Sequence, residues 1–240
     1  MKYYAGLDVA MKETFICIVN EEGKRVFESK AITDPRPIYD ELSKSGFELE
    51  KIGLETGSLS TYLTNGLQKL GMNAICIDAR KMAAILSVKI NKTDKNDARG
   101  IADAMRTNHY KPVQIQNTQN NALRILLKSR STLIENRILL KNTVRGFLKT
   151  YGIRLGEVSH QNFSKTVNDL LSNLPNEAKI GIESLLKGYQ AIHEEIKKTD
   201  KRLNEICKQD KEARLLMTAP GVGMIVALTY KADLGDPCRF

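Results

Sequence analysis

The fold of this chain is decided by residues 3–28, YYAGLDVAMKETFICIVNEEGKRVFE. Apolar, β-branched and aromatic residues in this stretch predict three strands, at residues 3–8, 14–20 and near 25–28. Glu21-Glu22-Gly23-Lys24 predicts a hairpin turn between the second and third strands. We therefore expect the chain to open with three antiparallel strands.

Helices and strands alternate after these three strands. We predict strands at residues 51–55 and 73–77, and helices at about 37–45, near 58–70, near 81–86 and at 94–107. This order describes an α/β domain with a mixed sheet and helices on its faces, and the RNase H-like fold has the same order.

From about residue 118 the sequence no longer has patterns that predict strands. It has instead two long series of apolar residues at helical spacing. The first recurs every seven residues, at Leu126, Leu133, Leu140 and Phe147. The second alternates three and four apart, at Ile182, Leu185, Tyr189, Ile192, Ile196, Thr199, Leu203 and Ile206. This spacing predicts two long helices with a coiled-coil seam, joined by a polar loop over 152–175 with some irregular helix. The helices would form an antiparallel hairpin or a dimerising coiled coil; a plain two-helix extension is the alternative.

The last segment places Pro220-Gly221-Val222-Gly223 between two apolar helical stretches. A turn of this kind in a helix-hairpin-helix element presents backbone N–H groups to a phosphate, which makes Gly221 and Gly223 candidate nucleic-acid contacts. An ordinary helix-capping turn is the alternative. We predict three regions: a catalytic domain over 1–117, a helical region over 118–210, and the start of a small helical domain over 211–240.

Four carboxylates form the candidate active site: Asp8, Glu55, Asp94 and Asp97. Asp8 and Glu55 end predicted strands, and Asp94 and Asp97 lie three apart on one face of a predicted helix. Acids in a first helical turn are also common without any chemistry. Four carboxylates in one place would repel one another unless cations were bound, so the set predicts Mg²⁺ or Mn²⁺ and phosphodiester chemistry.

Positive charge is concentrated in one part of the chain, which as a whole carries a net charge of +9. Residues 80–149 contain 15 Lys and Arg against 4 Asp and Glu, whereas the rest of the chain contains 22 against 24. This concentration predicts a nucleic-acid partner, although exposed lysines often only solvate a helix. The candidate contacts flank the Asp pair or lie on the first long helix: Lys89, Lys92, Lys95, Arg99, Arg124, Lys128, Arg130, Arg137, Lys141 and Arg145.

The four cysteines are widely spaced, without a Cys-x-x-Cys pair, which indicates neither a zinc site nor disulfides. Three isolated histidines, His109, His160 and His193, carry no predicted role. No apolar run of about 18 residues is present, and the first residues lead into a strand rather than a signal segment. We expect a soluble, cytoplasmic protein with no membrane partner.

Several motifs together resemble those of the DEDD insertion-sequence transposases related to the Piv and MooV DNA invertases. These are Leu7-Asp8, Leu54-Glu55-Thr56-Gly57, Lys92-Thr93-Asp94 with Asp97-Ala98, Pro220-Gly221-Val222-Gly223, and the tail from Gly235 to Phe240. The resemblance implies a RuvC-like domain, a coiled-coil insertion and a C-terminal transposase domain with a nucleophilic serine. It implies that Asp8, Glu55, Asp94 and Asp97 are the catalytic, metal-binding tetrad.

The same resemblance implies DNA as substrate, a structured bridge RNA as guide and a tetramer on DNA. The two long helices themselves suggest a homodimer. The family's serine lies beyond Phe240, so we expect the chain to be truncated and to lack strand exchange. Two rival interpretations remain: an actin-like ATPase or sugar kinase, and a non-catalytic nucleic-acid-binding and dimerisation fragment.

Overall fold

The computed structural model describes residues 1–80, 94–115 and 118–234, with only the backbone of Asp94 and Thr118. The chain divides into two compact units, Met1–Gln116 and Asn117–Phe240. The helix predicted near 81–86 lies outside the described residues.

The first unit contains a five-stranded mixed sheet in the order β3-β2-β1-β4-β5. Its strands are β1 (Tyr3–Val9), β2 (Glu13–Asn20), β3 (Arg25–Ile32), β4 (Leu49–Glu55) and β5 (Ala74–Ile77). The first three pair antiparallel, whereas β4 is parallel to both β1 and β5. The five predicted strands are confirmed, and β3 extends four residues beyond the sequence prediction.

Helices cover both faces of this sheet. Helices α1 (Pro35–Lys44) and α2 (Ser60–Lys69) pack on one face, and α3 (Asp94–Thr107) packs on β1, β2 and β4 from the other. Strand β2 shows the two faces directly, because Ile16 and Ile18 join the core under α1 and α2 while Phe15, Cys17 and Val19 face Ala98 and Ala102 of α3. This alternation is the two-residue period of a strand buried on both faces.

The second unit is helical within the described residues. It comprises α4 (Thr118–Thr150), α5 (Phe163–Asn168), a 3₁₀ turn (Leu171–Asn173), α6 (Asn176–Gln209), α7 (Lys211–Leu216) and α8 (Met224–Leu234). The two long helices predicted by the apolar spacing are confirmed.

Polar contacts show that α4 and α6 are antiparallel and define their register. Arg130 on α4 pairs with Asp200 on α6, and Arg137 on α4 contacts His193 on α6. The two contacts are separated by one heptad on each helix, and residue numbers rise along one helix as they fall along the other. These contacts are only part-buried, so they define the register of the two helices more than they add stability.

Apolar clusters lie at the two ends of this antiparallel pair. At one end Val144 and Leu148 of α4 pack with Phe163 of α5 and Tyr189 of α6. At the other, Leu203 and Cys207 pack with residues of α7 and α8. The linker over 152–175 therefore contributes buried side chains, which its polar composition does not reveal. The apolar face predicted on α4 comprises the seven-residue repeat and the flanking residues Leu127, Ile134 and Leu148; at its end Leu148 is buried, whereas Phe147 is 48% exposed.

No helix among the described residues is both long enough and apolar enough to cross a membrane.

Candidate metal-binding site and nucleic-acid interface

Two tripeptides of the same pattern lie side by side in the sheet. Gly6-Leu7-Asp8 lies at the end of β1, followed in the strand only by Val9, and Gly53-Leu54-Glu55 ends β4. The parallel register pairs Gly6 with Gly53 and Leu7 with Leu54. The next residues along the two strands are Asp8 and Glu55. Two carboxylates therefore occupy neighbouring positions at the carboxyl edge of the sheet, where α/β proteins bind ligands.

The two glycines bring helix α3 against the sheet. A Cβ atom on Gly6 would lie 2.0 Å from the carbonyl oxygen of Ala98 and 2.4 Å from the backbone nitrogen of Ala102. A Cβ atom on Gly53 would lie 2.8 Å from Cγ of Met105. Only residues without a side chain allow this approach.

The same geometry shows which face of the sheet the acids occupy. Residues two apart in a strand share a face, so Asp8 shares the face of Gly6 and Glu55 that of Gly53. Phe15, which pairs with Asp8 across β2, packs on this face with Ala98. Asp8 and Glu55 are both partly exposed, so their carboxylates can be reached from solvent.

Helix α3 brings the other predicted acids to this region. Asp94 is its first residue, and Asp97 directly precedes Ala98, the residue that covers Gly6. Asp97 is partly exposed, and the side chain of Asp94 lies outside the described residues. The backbone thus places Asp97 one residue from the point where α3 contacts β1.

Carboxylate oxygens are the ligands that Mg²⁺ and Mn²⁺ prefer, so the donor types at this edge fit a hard divalent cation. Among the side chains that the structure describes, no three His, Cys, Asp or Glu form a metal-binding group. The predicted set of four includes Asp94, whose side chain lies outside the described residues. The metal-binding role of the tetrad stays a prediction.

Cationic side chains flank the start of α3. Lys95 and Arg99 are exposed, and Nζ of Lys95 lies 5.9 Å from the centroid of the Phe15 ring. Phe15 pairs with Asp8, so Lys95 lies near the strand end that carries this acid. Lys89 and Lys92 lie outside the described residues.

The predicted basic residues of α4 make contacts within their own unit. Arg130 and Arg137 contact α6, as described above, and Arg124 pairs with Asp233 at 3.1 Å. Lys141 donates to the carbonyl oxygen of Val158 at 3.1 Å, and Arg145 donates to that of Gly156. Lys128 is exposed. These contacts join the helices and the linker, so five of the six side chains have a structural role beside the predicted one.

The Pro220–Gly223 segment forms a tight turn between α7 and α8. The N–H of Val222 donates to the carbonyl oxygen of Ala219 at 3.1 Å, and Gly221 has φ of 81°. Proline followed by a residue with positive φ is typical of a type II turn, which explains the glycine at 221. Gly221 and Gly223 are exposed just before α8 begins, and their contact with nucleic acid stays a prediction.

Sequence reasoning missed two features of these regions. The paired Gly-Leu-acid tripeptides are visible in the sequence, but their alignment depends on strand register. His160 and His193 appeared isolated, yet His160 Nδ1 lies 2.9 Å from Oη of Tyr189 and His193 Nδ1 lies 3.2 Å from Nη1 of Arg137. The heptad pattern alone does not show which residues of α4 and α6 are opposite each other. The contact between Arg137 and His193 could have been predicted only with the register of the two helices known.

A mixed sheet with helices on both faces and acids at its carboxyl edge defines the class of α/β proteins. A family model described as the IS110-type DEDD transposase matches residues 5–153, and the chain belongs to this family. The match argues against the alternative of an actin-like ATPase or sugar kinase.

Curated relatives carry the same description. The chain is 29% identical over 156 residues to the transposase for insertion sequence element IS1111A of Coxiella burnetii, covering 64% of this chain and 43% of the relative. It is 24% identical over 191 residues to the transposase for insertion sequence element IS1328 of Yersinia enterocolitica, covering 77% and 55%. It is 24% identical over 194 residues to a probable family 20 transposase of Pseudomonas aeruginosa, covering 79% and 56%. The chain spans about half the length of these relatives.

Proposed function

We propose that this protein is a DNA transposase of an insertion sequence, and that its first unit cleaves DNA strands with a divalent cation. Asp8, Glu55, Asp94 and Asp97 are the proposed catalytic and metal-binding residues. The observation that carries the proposal is the register of β1 and β4, which pairs Gly6 with Gly53 and so puts Asp8 beside Glu55 on the face covered by α3.

The sheet supports assignment to the RNase H-like, RuvC-like class. Strand β1 lies between an antiparallel β2 and a parallel β4, in the order β3-β2-β1-β4-β5. Acids at the ends of β1 and β4 and a helix bearing a further acid match the positions that the resemblance implies. Membership of the DEDD transposase family supports the same assignment.

The protein's own groups would prepare this site for phosphodiester chemistry. Asp8 and Glu55 are fixed by paired strands, and Asp97 by a helix held against those strands, so the carboxylates need little reorganisation to bind a cation. A bound Mg²⁺ or Mn²⁺ ion supplies Lewis-acid activation of the phosphate and of an attacking oxygen. Lys95 and Arg99 would attract the DNA backbone toward this edge.

Manganese binding to the whole chain tests the proposal most directly. We expect Asp8→Asn and Glu55→Gln each to weaken Mn²⁺ binding, measured by electron paramagnetic resonance, by about tenfold or more because each removes a charged oxygen ligand. Glu50→Gln is the matched control: Glu50 lies on β4 as well, but its carboxylate is exposed and pairs with Lys2.

Equal Mn²⁺ affinity in all four proteins would contradict the metal site. That result would favour the second interpretation, a nucleic-acid-binding fragment without catalysis. A Mg²⁺-dependent nicking assay on supercoiled plasmid DNA with the same variants would then show whether cleavage depends on Asp8.

The proposed nucleic-acid partners are the element ends, the target DNA and a guide RNA of the bridge-RNA type. The concentration of positive charge over residues 80–149 supports polyanion binding. Lys95→Glu should weaken DNA binding and flatten its salt dependence, whereas Lys44→Glu, an exposed lysine on α1 that pairs with Glu41, should change it less. Identical salt titrations for the two variants would argue against the placement of DNA at α3.

The helical unit is the proposed dimer interface, with a tetramer on DNA. Exposed apolar side chains on α4 support a partner surface, namely Ile125, Ile138, Leu139 and Phe147. Sedimentation equilibrium should then give a dimer for the wild type and a monomer for Leu139→Glu; a monomeric wild type would exclude this interface.

A further inference from the structure

The helical unit contains a polar pocket away from its apolar clusters. It has a volume of about 630 Å³ and lies between α5 and α6, within the size range of small-ligand sites. Its walls include Ser164, Lys165, His193 and Lys197.

Two buried hydrogen-bonding groups at this pocket lack a partner among the described residues. Ser164 is 5% exposed, and its Oγ makes no hydrogen bond. Nε2 of His193 is likewise buried without a partner. Buried polar groups are nearly always paired, and an unpaired one usually marks a site for water, an ion or a ligand.

The contact with Arg137 determines which proton His193 carries. A guanidinium group only donates hydrogen bonds, so Nδ1 of His193, 3.2 Å from Nη1 of Arg137, must accept. A neutral imidazole then bears its proton on Nε2. Both unpaired groups of the pocket, Ser164 Oγ–H and His193 Nε2–H, can therefore donate to an oxygen acceptor.

The surroundings of the pocket are cationic on balance. Two carboxylates are present: Glu194, which accepts a hydrogen bond from Lys197 at 2.9 Å, and Asp169. Against these stand four cations, of which Arg137 and Lys141 come from α4, Lys165 from α5 and Lys197 from α6. Burial first, and then Lys197 and Arg137, hold the pKa of His193 below its usual value. Burial, Arg137 and Lys141 lower the pKa of His160 in the same way. Tyr189 Oη, which contacts His160, completes the titratable groups.

We propose that the pocket bounded by Ser164, His193 and Lys197 binds a phosphate group of a nucleic-acid strand. Phosphate oxygens accept several hydrogen bonds at once and carry the negative charge that the four cations favour. The proposal rests on the proposed function only in taking nucleic acid as the partner. Its residues belong to the second unit, whereas Asp8, Glu55 and Asp97 belong to the first.

Histidine titration by NMR tests the proposal on the wild-type chain. An anion beside His193 stabilises the imidazolium form, so adding a short single-stranded oligothymidylate in EDTA should raise the pKa of His193. Inorganic phosphate should compete with the oligonucleotide for the same pocket and should also raise the pKa of His193. A His193 shift produced by inorganic phosphate but not by the oligonucleotide would overturn the proposal in favour of a free-anion site.

Variants provide a second measurement. Ser164→Ala should weaken oligonucleotide binding by about tenfold, because it removes a hydrogen bond to a charged acceptor. Lys197→Gln should lower the salt slope of binding by about 0.7, the value for one contact on a single strand. Lys198→Gln is the matched control, since Lys198 pairs with Glu195 as Lys197 pairs with Glu194.

The result that Ser164→Ala and Lys197→Gln both bind like Lys198→Gln would refute the phosphate site. Because EDTA removes divalent cations, this outcome is independent of whether Asp8 and Glu55 bind metal. Failure of the Mn²⁺ experiment with a retained His193 shift would refute the catalytic proposal alone.

Discussion

Gly6→Ala should destabilise the first unit and, if the proposed metal site is present, weaken Mn²⁺ binding as well. The new Cβ would lie 2.0 Å from the carbonyl oxygen of Ala98, whereas ordinary van der Waals contact begins at 3.4 Å, so helix α3 must move away by about 1.4 Å. The neighbouring atoms belong to the helix backbone and cannot rotate aside. Overpacking of this kind costs about 1–3 kcal/mol, and we expect the upper end because a whole helix shifts.

The displacement also carries Asp97 away from Asp8. A shift of about 1 Å at a reacting site can cost about a hundredfold in activity, so Mn²⁺ affinity should fall clearly even in the fraction that remains folded. Urea denaturation followed by circular dichroism measures the stability change, and Mn²⁺ titration well below the unfolding midpoint measures the site.

Two other glycines provide graded controls. Gly53→Ala would meet side chains rather than helix backbone, namely Met105 Cγ at 2.8 Å and Ile101 Cγ2 at 2.9 Å, so its cost should be smaller than that of Gly6→Ala. A Cβ on Gly57, two residues after Glu55, would meet no described atom within 4 Å, and Gly57→Ala should be nearly neutral. If Gly6→Ala and Gly57→Ala unfold at the same urea concentration, the close approach of α3 to β1 is wrong.

Three further outcomes follow from the packing and the pKa shifts. Burial alone would raise the pKa of Asp210, but hydrogen bonds from Lys231 and two backbone N–H groups hold the pKa below its usual value. The ionised carboxylate therefore stabilises the fold fully above the ordinary Asp pKa, and this stabilisation is lost as the pH falls through the lowered pKa. Asp210→Ala should thus cost about 1 kcal/mol near neutral pH and reduce the acid-side loss of stability in pH-dependent urea melts, and an unchanged profile would contradict this role. Burial raises the pKa of Cys17 to about 11, two units above its reference of 9.0. Because the thiolate is the reactive form, iodoacetamide at pH 8 should label Cys17 at least about a hundredfold more slowly in the folded than in the unfolded chain. Peptide mass spectrometry measures the two rates, and equal rates would show the thiol to be exposed. Leu203→Ala should lower the free energy of unfolding in urea by about 2–5 kcal/mol, because Leu203 is fully buried, whereas Ile180→Ala, at an exposed position on the same helix, should cost less than about 1 kcal/mol. Similar costs for the two variants would mean that the core around α6 is assigned wrongly.

Local patterns were sufficient to predict most elements of this fold. Alternating β-branched residues located β2, and Asp8 and Glu55 were recognised as strand-end acids because each follows an apolar strand. Register was not accessible in this way. The pairing of Gly6 with Gly53 depends on how far β4 slides along β1, and that is decided by packing against α3 rather than by either strand alone.

The helical unit shows a second limit of local reasoning. The seven-residue repeat on α4 and its flanking apolar residues correctly predicted a long helix, but the sequence could not show that Leu148 rather than Phe147 packs against the linker. The basic residues of α4 were taken as a nucleic-acid surface. Arg130, Arg137 and Arg145 also contact α6 or the linker, a structural role that depends on partners distant in the sequence, and their contact with nucleic acid stays a prediction.

The two apolar clusters that close opposite ends of the α4–α6 pair make it a spacer of fixed length. At 1.5 Å per residue, the 33 residues of α4 extend for about 50 Å. Fifteen base pairs of duplex cover about the same distance at 3.4 Å per step. Two binding sites at opposite ends of the α4–α6 pair would therefore be separated by about one and a half helical turns of DNA.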